Sequence, residues 1–426
     1  MEVKRDVRRR LLIIIYTVLI FAASGLLFQW DTETGIILFF AMLIPLVGLM
    51  RWPNSPKLLF IGFVVMVIGK LVYVQTLNPL RGPDEKHYYE QVVAFADLGS
   101  FFNFAWEHIV TNWSNASAYP VYGMLYMPFF KGMQIDHPLT IVVFNTLIFL
   151  VVVQQTYQLC RDHFNYPLPE LTDNKFRSWI IFGLLISPSF MFMSSLFAKD
   201  VTCALLGMYG ALLLIRKKYI WFIIVLLYAT GLRDYAFVYT VGIYLLYKGH
   251  LKTAFTFTVG AAGIVFLFTG FSGVINAGLL TLFLFLSPNP FNPANWDPVM
   301  MYRTAEALFM SLSIAGAVMV YINAPETRKF YKIVLFVLFT YACTLILVGY
   351  VTIVTRELDY GVGTIGDNMV RKKLPILPLL YVFSAYTMVW LGKLTRPKRV
   401  HKEVLSCEEG ISSGELKPYS ASLRSP

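Results

Sequence analysis

The sequence predicts an all-α polytopic membrane protein with about twelve transmembrane helices, because apolar runs near the roughly 20 residues that cross a bilayer recur along it. Composition agrees: of 426 residues, 57% are hydrophobic and only 14% charged, and mean hydropathy is +0.61. A soluble domain carries about 25% charged residues and would not tolerate so many long apolar runs. The charges are also unevenly placed, in the manner that sets membrane orientation.

The spans fall at roughly 11–30, 35–50, 58–76, 139–157, 178–197, 201–215, 219–232, 235–247, 253–275, 305–324, 333–355 and 374–392. The sixth to eighth are short and joined by tight turns. The piece "LLTLFLFL" at 279–286 is too short to cross and reads as a re-entrant or interfacial segment. The basic start "MEVKRDVRRR" runs into an apolar segment without a small-residue cleavage site, so the first span reads as a retained anchor with its N-terminus in the cytoplasm. Alternation then puts roughly two thirds of the 36 Lys and Arg residues in cytoplasmic loops and most of the 25 acids outside. That asymmetry accounts for the net charge of +11 without a nucleic-acid partner. The transmembrane domain covers 1–392, and the polar, Ser-rich stretch 393–426 reads as a disordered cytoplasmic tail.

The four cysteines form no CxxC pair and no metal-ligand spacing, so neither a disulfide nor a metal site is expected. A long external loop spans 77–138. Its "YYEQVVAFADLGSFFNFAWEHIV" has apolar residues at helical spacing and predicts one or two amphipathic helices along the membrane surface.

External charges gather at span ends. Asp84 and Glu85 follow the third span, and Gly82-Pro83 before them favours a fixed turn. Lys199 and Asp200 lie between the fifth and sixth spans, Arg233 and Asp234 between the seventh and eighth. Arg303 precedes the tenth, and Arg356 and Arg371 sit in the loop before the twelfth. A charge near a helix centre costs about 2.5–3.5 kcal/mol on insertion scales, and is tolerated where it pairs or faces a water-filled cavity. Taken singly, each turn could be an ordinary solvated hairpin; together they predict a shared polar pocket at the outer leaflet. Lys70, inside the third span, can snorkel outward or pair internally.

Such a pocket suits a sugar carried on a polyprenyl phosphate or diphosphate. Arg and Lys would hold the phosphate and offset charge on the departing group, while a carboxylate deprotonates the acceptor hydroxyl. Asp84 is the first choice for that base and Glu85 the second. The residues "GPDEKHYYEQVVAFADLG", then "YPVYGMLYMPFF" and "VVFNTLIFLVVVQQTYQLCRDHF" with Asn145, resemble the GT-C glycosyltransferases. That resemblance implies a catalytic acid or acid pair in the first large external loop, followed by tyrosine, which Asp84 and Glu85 with Tyr88 and Tyr89 match.

"SPSFMFMSSLFAKD" followed by "GLRDYAF", with "RKKLPILPLLYVF" near the end, resembles bacterial polysaccharide-assembly membrane proteins. The pattern departs from many GT-C chains in two ways: two apolar segments precede the acidic loop, and no soluble C-terminal domain follows. The resemblance implies an extracytoplasmic transferase in a bacterial inner membrane, with a lipid-linked sugar donor and a glycan or lipid acceptor. Some relatives use a divalent metal, but no ligand set stands out here. Two alternatives remain: an O-antigen or exopolysaccharide polymerase, and a transporter or flippase of lipid-linked sugars. Transport is disfavoured because the charges gather at one face, with only Lys70 in the membrane interior, and the two halves show no sequence symmetry.

Overall fold

The computed structural model describes residues 2–49, 56–112, 118–132, 137–169, 172–298, 300–356 and 369–395. Every regular element among them is helical. Helix α1 (Glu2–Trp30) and α2 (Thr32–Leu49) form an antiparallel hairpin, and α3 (Pro56–Thr76) follows. The loop region holds α4 (Pro83–Val93), α5 (Leu98–Asn112) and α6 (Ala118–Gly132). Then come α7 (Leu139–Asp162), α8 (Asp173–Leu185), α9 (Pro188–Met193), α10 (Asp200–Ile215), α11 (Tyr219–Leu232) and α12 (Ala236–Lys248). The chain continues with α13 (Leu251–Leu286), α14 (Met301–Asn323), α15 (Arg328–Arg356), α16 (Met369–Lys373) and α17 (Leu377–Leu394).

Among the described residues, six helices are long and apolar enough to cross a membrane: Leu58–Thr76, Leu139–Asp162, Leu251–Leu286, Met301–Asn323, Pro325–Val351 and Val370–Leu394. The chain is thus a polytopic membrane protein, all-helical among the described residues. The other apolar helices, in α1, α2, α10, α11 and α12, are shorter. Two expectations need correcting. The predicted span 178–197 is broken into α8, α9 and an irregular stretch, 194–199. The piece 279–286 is no separate re-entrant segment but the end of α13, which bends at Gly270 (φ 70°, ψ −168°), a conformation that side chains with a Cβ avoid. The expected tail lies, beyond residue 395, outside the described residues.

Helices α7 and α17 are the most enclosed, and α10 packs against α7, α11 and α12 beside them. Hydrocarbon solvent gives helices no reason to associate for burial alone, so close backbone approach matters. Gly207 supplies it on α10: a Cβ there would stand 2.5 Å from the Tyr239 ring of α12. Helix α15 packs along both α12 and α13, and α14 along α17. One end of the bundle is closed by rings: Phe330 and Tyr386 lie 4.1 Å apart between centroids, with Phe164, Tyr166 and Phe176 around them. At the other end, α10 and α16 begin and α11 ends, and there the ionisable groups collect.

Candidate functional site

Helix α4 begins at Pro83, whose missing N–H costs nothing in a first turn. Asp84 and Glu85 occupy that turn, where backbone N–H groups favour negative charge. The Glu85 carboxylate folds back over Gly82, where a Cβ would come within 1.9 Å of its Oε2. Tyr88 is buried, and Tyr89 meets Phe197 edge-on at 6.0 Å, seating α4 on the irregular stretch after α9.

That stretch is non-helical yet buried, so its peptide groups need partners from elsewhere. Asn145 of α7 donates from Nδ2 to the carbonyls of Leu196 (3.0 Å) and Ala198 (3.1 Å). The Phe197 N–H donates to Pro79 O at 3.0 Å. Thus secured, the segment delivers Lys199 and Asp200 to the start of α10.

Asp200 is fully buried between two guanidinium groups. Arg233, at the end of α11, donates from Nη2 to its Oδ1, and Arg371 of α16 donates from Nε to Oδ2 at 3.3 Å. Arg371 then reaches back to α4, with Nη1 3.1 Å from Asp84 Oδ2 and 3.7 Å from Glu85 Oε1. One arginine therefore bridges three carboxylates from two parts of the chain. The acids differ in access: the Asp84 side chain is 56% exposed and that of Glu85 only 5%.

Burial raises the Glu85 carboxyl above its ordinary range, with Arg371 opposing. Burial, reinforced by Asp84, raises the Tyr88 phenol, which stays protonated at neutral pH. Lys199 is buried beside the cluster; desolvation first and the Arg233 charge second lower its ammonium to about 8. The result is a lysine that gains or loses its charge close to neutrality.

Other candidate residues are placed differently. Asp234 is exposed and stands outside the Asp200 network. Arg303 is buried away from it, with its guanidinium carbon 3.9 Å from the Phe192 ring centroid, a cation–π contact on α9. Arg356 ends α15, and its side chain lies outside the described residues.

Sequence reasoning missed a second polar cluster. Glu306 of α14 is buried and accepts hydrogen bonds from Tyr381 OH at 2.6 Å, Ser187 Oγ and Ser189 Oγ. Lys373 Nζ lies 3.8 Å from Glu306 Oε2 and donates to Ser287 O. Lys70 is also fully buried, donating to Ser195 Oγ (2.7 Å) and Ser194 Oγ (3.1 Å). The expectation that Lys70 alone among these charges is buried is therefore incorrect, since Glu306, Lys373 and Arg303 are buried too. The signal was present in "RTAEALF", an acid inside an apolar span. Beside Glu306 and Tyr381, a cavity of about 380 Å³ opens among α8, α14 and α17, lined mainly by apolar side chains.

The first cluster combines an accessible carboxylate with cations that can hold an anion, as proton abstraction beside a bound phosphate requires. Among the described residues no group of three or more His, Cys, Asp or Glu could hold a metal ion; the cation that the acids share is a guanidinium. No family model, curated protein or solved structure matches the chain.

Proposed function

We propose that the chain is a membrane glycosyltransferase that moves a sugar from a polyprenyl phosphate or diphosphate donor to a glycan or lipid acceptor. The observation that carries this reading is the Asp84–Arg371–Asp200–Arg233 chain of contacts, with Lys199 beside it. Arg371 and Lys199 hold the donor phosphate. Asp84, the more exposed acid, takes the proton of the acceptor hydroxyl as its oxygen attacks the anomeric carbon. The sugar–phosphate bond breaks on the opposite face, and the released phosphate keeps the electron pair beside the cations. Attack opposite the leaving group inverts the anomeric centre. Glu85, held neutral more readily by burial, serves as the second acid of the pocket.

In this reading the twelve apolar segments cross a bacterial inner membrane, the termini are cytoplasmic, and the network faces outward. Helices α4 to α6 lie at the interface, where exposed Trp106 and Val110 of α5 enter the lipid. A polymerase of lipid-linked repeat units uses the same donor chemistry. Transport is the third reading, favoured by buried Lys70 and Glu306 on either side of the broken segment α8–α9.

The test is the surface glycan of a deletion strain complemented with wild type or Asp84→Asn. Transferase chemistry requires wild type to restore a missing decoration and Asp84→Asn, inserted at equal level, to leave it missing. Chains of a single repeat unit would mark a polymerase. Full restoration by Asp84→Asn removes the base and moves transport ahead.

A further inference from the structure

Two separate pieces of chain feed the Asp200 network, and both are tied to one carboxylate outside it. The first is the segment that ends in Lys199 and Asp200. Its start is fixed at Ser187 and Ser189, whose hydroxyls both donate to Glu306. The second is α16, five residues long and too short to hold its own geometry. It carries Arg371 into the network and, two residues on, Lys373 into the Glu306 cluster. Between them the Lys372 carbonyl accepts from Tyr341 OH at 2.5 Å.

Glu306 thus stands where the two supports meet. Tyr381 holds it from α17, and Lys373 and Glu306 are both buried. A buried acid and amine without each other would be costly, so each fixes the place of the other. Apart from the Tyr381 bond, the contacts that Glu306 makes run to the segments delivering Asp200 and Arg371, whereas Asp84, Glu85 and Arg233 are placed by α4 and α11.

We infer that Glu306 is a positioning residue: through Ser187 and Ser189 on one side and Lys373 on the other, it sets the Asp200–Arg371 pairing that organises the anion pocket. The pairing itself stands on geometry; its role in holding a donor phosphate rests on the function proposed above.

Native cysteines give a reporter independent of any ligand. Cys203 is buried on α10 within reach of Arg233 and Asp200. Cys160, bonded to Tyr247 at 3.3 Å, and Cys343 are buried elsewhere. Alkylation of the purified full-length protein in a Cys407→Ser background, read by mass spectrometry, follows the three sites separately. Glu306→Gln and Lys373→Met each should speed Cys203 modification at least about fivefold, with Cys160 and Cys343 unchanged and the double variant no faster than either single one. Unchanged Cys203 overturns the inference. So does a joint rise at all three cysteines, which would mean a role in stability alone.

A second arm measures farnesyl phosphate affinity of wild type, Arg371→Gln and Glu306→Gln. The expected result is a loss of about tenfold or more in both variants, as truncating a buried charge pair gives. If wild type binds farnesyl phosphate and Arg371→Gln weakens it but Glu306→Gln does not, positioning fails while the donor site stands. If Arg371→Gln has no effect, the donor site fails, and Cys203 still decides positioning.

Discussion

Arg371 Nη1 stands 3.1 Å from Asp84 Oδ2 across 287 positions of the chain. The same guanidinium reaches Asp200 with its Nε. A planar fork can serve acids in different directions at once, which a single ammonium on a flexible stem does less well. Arg371→Lys is therefore expected to keep the charge but lose the bridge. Its turnover should fall by about tenfold or more, the scale of one lost charge-assisted contact. Unchanged glycan synthesis in membranes carrying Arg371→Lys would show that the bridge is not used.

Asp200 balances two cations in the interior. Asp200→Asn leaves Arg233 and Arg371 facing a neutral amide, and removing one partner of a buried pair costs about 3–5 kcal/mol. Thermal unfolding in detergent should show a marked loss. Asp200→Asn combined with Arg233→Gln should recover part of it, because the Arg233 charge is then gone while Arg371 keeps Asp84 and Glu85. Equal stability of the single variant and wild type would argue that water already screens the pair.

Lys199 gives the pH dependence. Its ordinary value of 10.5 is lowered to about 8 by burial. Between these values the unfolded chain binds more protons than the folded one, so this group's effect on stability improves as pH rises from about 8 to 10.5. Under the proposed function, binding goes the other way, since a phosphate-holding charge on Lys199 would be lost above about 8. Farnesyl phosphate affinity should therefore fall between pH 7 and pH 9 at constant ionic strength, roughly across the Lys199 titration. Lys199→Arg should abolish the fall, because a guanidinium stays charged throughout. A fall that persists in Lys199→Arg assigns it to another group.

Gly82 offers a separate handle on Glu85. A methyl group there would meet the end of the Glu85 side chain, which can swing away, rather than backbone. Gly82→Ala should then change stability by less than about 1 kcal/mol while displacing the carboxylate from Arg371. Turnover of Gly82→Ala should match that of Glu85→Gln, and the double variant should add nothing. Additive losses would separate the two positions.

The sequence by itself determined the broad architecture. Apolar runs of membrane length are a local property, so they are legible without contacts. Helix α4 was legible in part: the helical spacing from Tyr88 onward predicts it, whereas Gly82-Pro83, read as a fixed turn, is where the helix opens, with Asp84 and Glu85 already in its first turn. Only tertiary structure decided which charges meet. Asp200 has Lys199 beside it in sequence, yet its ion-pair partners come from α11 and α16, while Asp234 is left exposed. Arg303, equally basic on paper, stacks on Phe192 instead. The break at α8–α9 and the Glu306 cluster are also tertiary, because irregular backbone within the bundle is stable only where distant side chains such as Asn145 satisfy its carbonyls, and the hydroxyls of Ser187 and Ser189 find their acceptor in Glu306 of another helix. Pairing across helix ends depends on how helices pack, and no spacing along one strand of sequence encodes that distance.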